Sequence, residues 1–158
     1  MKAPILLPAL CALAVTSVSC APKELLSIRQ FRLADVEVER DSYHRYDENQ
    51  FIRGEVNKRT YGAITAKERE QRKGHYYNVN WTQLSGTDPV KVVFEYRQAS
   101  TGDRVKKLTK VLSATASGST EFQVIGADYQ KNGRVLSWRI SLYDGAQKVA
   151  TKQSYLWD

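Results

Sequence analysis

Most of the residues that could do chemistry are cations. Lys67, Arg69, Arg72 and Lys73 fall in one short segment. Arg104, Lys106, Lys107 and Lys110 fall in another, the three lysines crowded onto one predicted strand. The chain carries a formal charge of +7, which suits an anionic partner such as nucleic acid, acidic lipid or acidic glycan without choosing between them. The same residues have a plainer use, because lysines on an edge strand deter sheet-to-sheet pairing and keep a domain soluble. Both readings stand at this point.

The remaining candidates are weaker. Asp35, Glu37, Glu39 and Asp41 could offer oxygen ligands to Ca²⁺, but alternate residues of a strand are about 6.6 Å apart and no Asx-Gly loop follows to wrap an ion. A solvated strand face is the expectation there. His44 sits in a polar stretch and His75 follows Gly74, neither beside a nucleophile. Tyr76, Tyr77 and Trp81 near basic residues could stack on bases or on sugar rings. Trp81 and Trp138 nevertheless read as core, given their alternating neighbours Val79 and Ile140. The sequence holds no GxSxG, HExxH, Walker A, EF-hand or GxGxxG pattern. No cofactor, metal site or catalytic residue is therefore expected, and an enzyme would need a site dispersed along the chain.

The N-terminus sets an expected address. Met1 to Ser19 has one positive charge at Lys2, an apolar run from Ala3 to Val18 and a small-residue end, "TSVSC". A spanning helix needs about 20 apolar residues, so this reads as a signal peptide over 1–19. Ser17-Val18-Ser19-Cys20 resembles the lipobox of bacterial lipoproteins, in which the Cys thiol takes diacylglycerol before cleavage makes it the first mature residue. The resemblance covers the leader only. It implies acylation of Cys20, attachment to membrane lipid and a place in the bacterial cell envelope. Ala21 after the Cys, where the family's retention signal has Asp, implies the outer membrane, facing the periplasm. Two residue-level points agree. Cleavage after Ala21 would leave Pro22 just beyond the cut, and Cys20 would otherwise be a lone reactive thiol, since Cys11 lies within the leader.

Residues 20–24 then form a lipidated Cys and short tether, and 25–158 a single domain. The four residues "APKE" reach about 14 Å when extended. With such an address no nucleic-acid partner is expected. Anionic lipid, an anionic glycan or an envelope protein are the candidates.

The elements that must position these residues read as short strands. In Val135 to Tyr143, Leu136, Trp138, Ile140 and Leu142 alternate with polar residues, and Asp144-Gly145 supplies a hairpin turn. Turn parity then predicts Val149, Thr151, Tyr155 and Trp157 on the face of Leu136 to Leu142. "HYYNVNWTQL", "KVVFEYRQ", "RVKKLTKVLS" and "EFQVIG" read as further strands, and Leu26 to Val38 as a long first strand with bulges. "FIRGEVNKRTYGAI" shows no clean period and reads as a short strand or loop. Thr65-Ala66-Lys67-Glu68 is a capping box, predicting one surface helix from Ala66 to Lys73 closed by Gly74. The expected fold is all-β, an antiparallel sandwich of about seven to eight strands with one short surface helix. Its layout resembles a generic immunoglobulin-like or fibronectin type III-like sandwich. It is also similar to small bacterial envelope lipoproteins, a resemblance that implies no activity. The expected function is a lipid-anchored envelope binding or structural module; the rivals are a glycan- or peptidoglycan-binding domain and a hydrolase with a dispersed site.

Overall fold

The computed structural model describes residues 24–34 and 50–157. Among these residues seven strands form two antiparallel sheets. β1 (Leu26–Leu33), β2 (Gly74–Trp81) and β5 (Gly118–Ile125) make one, in the order β1-β2-β5. β3 (Val90–Gln98), β4 (Lys106–Leu112), β6 (Val135–Asp144) and β7 (Gln147–Gln153) make the other, in the order β4-β3-β6-β7. The all-β sandwich predicted from the strand pattern is the fold. β4 pairs with β3, whereas in constant-type immunoglobulin domains the fourth strand joins the sheet of the first, second and fifth.

The core follows from period-2 alternation. Tyr77, Val79 and Trp81 of β2 and Phe122 and Val124 of β5 face Val92, Phe94 and Tyr96 of β3 and Ile140 and Leu142 of β6. The rings of Tyr77 and Phe94 meet across the sheets at 4.6 Å, and those of Phe94 and Phe122 at 5.3 Å. Burying a side chain such as Phe94 contributes about 1.5 to 3 kcal/mol. Trp81 lies over Gly118, where an added Cβ would stand 2.6 Å from the indole, so the strand needs glycine at that point.

Three helices accompany the sheets rather than one. α1 (Gln50–Thr60) covers the segment expected to be strand or loop, α2 (Ala66–Arg72) carries the capping box, and α3 (Gly126–Asn132) follows β5 directly. α1 lacks an apolar stripe, which is why periodicity did not reveal it. It docks through Arg59, whose guanidinium lies 4.0 Å from the Tyr76 ring centroid and bonds Glu55 at 2.9 Å and Glu121 at 2.5 Å. In α2 the Thr65 hydroxyl accepts from the Glu68 amide at 3.2 Å while Glu68 accepts from the Thr65 amide at 2.8 Å. The helix ends at Arg72, and Gly74 is not its cap. It is the first residue of β2, with φ of 145°, and a Cβ there would meet the Val124 carbonyl oxygen at 2.1 Å.

Ile140 and Leu142 lie in the core and Val149 packs against it, as alternation predicts, but two bulges overturn the predicted faces of Leu136 and Thr151. Arg97 pairs with Ser137 but Gln98 with Val135, so Leu136 is squeezed outward, 43% exposed, and Val135 turns inward. Leu142 pairs with Ala150 and Tyr143 with Lys148, leaving Val149 as the extra residue. Parity therefore flips, and Thr151 lies opposite Ser141 instead of sharing the face of Leu142. Trp157 folds over the outer face, against Arg97 and Arg139, and Tyr155 is 95% exposed. β1 is regular from Leu26 to Leu33, without the expected bulge, and its Phe31 and Leu33 lie on the outer face opposite Tyr76 and Gly74. Cys20, the segment 1–19 read as a leader, Asp35, Glu37, Glu39, Asp41 and His44 lie outside the described residues.

β1 gives the sandwich two distinct ends. Glu24 and the turns around Asp88 and Gly145 occupy the end where the chain enters the domain, tied by Ser85 N–H to Asp144 at 2.8 Å and by Gly145 N–H to the Pro89 carbonyl at 3.1 Å. Leu33, the α2–β2 corner and α3 occupy the other, about 23 Å away at the rise of a strand.

Candidate functional site

The end remote from the chain entry holds a cavity of about 380 Å³, lined among others by Arg32, Glu70, Lys73, Tyr129 and Arg134. Each wall has a local cause. Arg32 precedes the last residue of β1 and is paired across the ladder with His75. Lys73 is the extended residue between α2 and β2, and its carbonyl accepts from the Gly126 N–H at 3.3 Å, fastening the start of α3 to that corner. Arg134 follows Gly133, whose φ of 77° turns the chain from α3 into β6 and whose carbonyl accepts from the buried Gln98 amide at 2.9 Å.

Behind the cavity lies His75, only 4% exposed. Its ring is 5.9 Å from that of Tyr129 and stacked at 6.2 Å on that of Tyr77. Gln30 accepts from the Trp138 indole N–H at 3.2 Å and meets His75 Nδ1 with its amide nitrogen at 3.5 Å. That arrangement places the imidazole proton on Nε2, which has no hydrogen-bond partner. Burial, then the charges of Arg32 and Arg134, push the imidazole down to about 4, so it is neutral at pH 7. The cavity thus joins two guanidinium donors to a tyrosine, its Lys73 ammonium already paired with Glu70, with a neutral ring behind. That is binding equipment for an anion, with no nucleophile and base paired for reaction.

No family model, curated protein or solved structure matches the chain.

The two predicted basic clusters are dispersed by the fold. Lys67 and Arg69 are exposed on α2, with Arg69 donating to the Ile64 carbonyl at 2.9 Å. Arg72 turns inward to the Arg59 carbonyl at 3.1 Å, and Lys73 pairs with Glu70. In β4 the strand period separates neighbours: Lys106 and Lys110 lie opposite Tyr96 and Val92 on the inner side, and Lys107 lies opposite Glu95 on the outer. Arg104 precedes the strand and is exposed. Lys110 donates to the Glu121 carbonyl at 2.6 Å and lies over the Phe122 ring.

Lys106 is an internal fastener. It bonds Gln98 at 2.8 Å and pairs with Asp128, which also accepts from Tyr96 at 3.2 Å and from Asn132 at 2.7 Å. Burial pushes the Asp128 carboxyl up, but the Lys106 and Asn132 hydrogen bonds outweigh it and the carboxyl lies below its ordinary range. This cluster holds α3 against β3 and β4.

Tyr76, Tyr77 and Trp81 are at most 4% exposed, so the stacking platform considered for bases or sugars is part of the packing. Trp138 is partly buried at the edge of the core, not within it. Among the described residues no three His, Cys, Asp or Glu side chains converge where an ion could sit. Sequence reasoning missed Arg32 and Arg134 because each is a lone arginine in its own segment, one between Phe31 and Leu33 and the other between Gly133 and Val135, and only the fold brings them to one cavity.

Proposed function

We propose that this chain is a lipid-anchored binding module of the bacterial cell envelope, held through acylated Cys20 and presenting the end of its sandwich to the periplasm. The observation that supports this reading is the opposition of two ends. The chain enters the domain at Glu24, four residues beyond Cys20, while the cationic cavity opens about 23 Å further along β1. A tether of about 14 Å keeps the entry end at the head groups and turns the other end away from them. No helix among the described residues is long and apolar enough to cross a membrane, so acylation is the means of attachment in this reading.

The test is Cys20→Ser in cells fed labelled palmitate. Label should disappear and the protein should leave the membrane fraction. Continued incorporation of palmitate in the variant would sink the anchor.

A second reading draws on the α1–α2 connection. Tyr61 and Ile64 are 84% and 83% exposed beside Lys67 and Arg69, a grouping of apolar and basic side chains that suits an anionic lipid surface. It predicts that anionic vesicles bind at low salt and that Lys67→Gln with Arg69→Gln removes the binding.

A further inference from the structure

We propose that the cavity between β1, α2 and α3 binds a small oxyanion ligand, a carboxylate or a phosphate, clasped between Arg32 and Arg134. The proposal builds on the reading of this end as the binding end and is independent of acylation at Cys20.

Arg32 and Arg134 come together at one cavity. Arg59, Lys73, Lys106, Arg139 and Lys152 each pair with a carboxylate. Arg32 and Arg134 have no such partner among the described residues, as is also true of Lys67, Arg104 and Lys107, but unlike those they line one cavity. Among the described residues the one carboxylate on that wall, Glu70, is engaged by Lys73. Both arginines are exposed, so solvent screens their mutual repulsion, and an anion seated between them would interact favourably with each.

The shape of the cavity and the stiffness of its backbone suit a small ligand. A volume of about 380 Å³ lies at the lower end of the range for small-ligand sites. Its walls are held by backbone, through Gly126 N–H to the Lys73 carbonyl, and by the Gln98 amide on the Gly133 carbonyl just before Arg134. With the backbone held, mainly the exposed side chains of Arg32 and Arg134 have to be ordered when a ligand arrives. Arginine's planar fork matches the paired oxygens of carboxylate and phosphate, and Tyr129 on α3 lines the same space.

The experiment is isothermal titration of the purified full chain in a neutral detergent with inorganic phosphate and, separately, citrate, against sodium chloride at matched ionic strength. Phosphate or citrate should give saturable binding that chloride does not, and the anion that binds names the class. Arg32→Gln and Arg134→Gln should each weaken it at least tenfold, and Arg32→Lys, which keeps the charge but loses the fork, should weaken it less than Arg32→Gln. Lys148→Gln, exposed on β7 at the opposite end of the sandwich, should leave it unchanged. Thermal unfolding of each variant checks that it folds. Heats from both anions no larger than those from chloride would overturn the proposal, as would unchanged affinity in both glutamine variants. The palmitate result for Cys20→Ser has no bearing on either outcome, so failure of the anchor and failure of the anion site are separable.

Discussion

Arg59 lies face-on to Tyr76, its guanidinium carbon 4.0 Å from the ring centroid, and the arginine is 6% exposed. A polar helix with no apolar stripe is thereby fixed to the outer face of a β-sheet, with Glu55 and Glu121 neutralising the buried charge.

Arg59→Ala should accordingly be among the costly substitutions at the outer face of this sheet. It removes the cation–π contact and leaves two partly buried carboxylates without their partner, a class of change that costs about 3 to 5 kcal/mol. Because Glu55 and Glu121 retain some access to water, the expected loss is about 3 kcal/mol, read from urea unfolding. Arg59→Lys should fall between the two, since an ammonium cannot fork to both carboxylates. A loss below about 1 kcal/mol in Arg59→Ala would mean that α1 is not held by this residue.

His75 predicts how stability depends on pH. Its folded value is pushed down to about 4 by burial and by Arg32 and Arg134, while the unfolded chain titrates near 6.5. Between those values the unfolded state binds more protons, so this group's contribution is fully present above about pH 6.5 and is lost as pH falls towards 4. The loss should be at most about 3 kcal/mol, since each pH unit of separation is worth about 1.4 kcal/mol. Unfolding curves between pH 7 and 4 would show it, and His75→Gln should flatten the slope. An equal slope in the variant would assign the dependence to other groups.

Trp138 and Phe94 separate two depths of packing. Phe94 is fully buried between Tyr77, Tyr96 and Phe122, and Phe94→Ala should cost about 3 to 5 kcal/mol. Alternation along β6 predicts the same range for Trp138→Ala, but the structure leaves Trp138 partly exposed, held by its bond to Gln30 and an edge contact with Tyr77. About 2 kcal/mol is expected there, measured in the same denaturant series. Equal losses at both sites would return Trp138 to the core.

The strands, the Asp144-Gly145 turn and the Thr65–Glu68 capping box were legible because each is written in adjacent residues: a period of two, a dipeptide suited to positive φ, a spacing of three. What the sequence determined is therefore the all-β class and the approximate positions of β2 to β7. Tertiary structure decided which way the side chains point. Single extra residues at Leu136 and Val149 reverse the parity of the closing hairpin, and a bulge leaves no mark in an alternating pattern until its partner strand is known. α1 was illegible because an arginine on an aromatic ring docks it, where periodicity looks for an apolar stripe. The two lysine-rich segments looked like patches because they are dense along the chain, yet strand geometry sends Lys106 and Lys107 to opposite faces and ion pairing takes Lys73 and Lys106 out of use. Arg32 and Arg134 stand far apart in sequence, and they share a cavity only because β1 pairs with β2 while α3 turns back onto the α2–β2 corner.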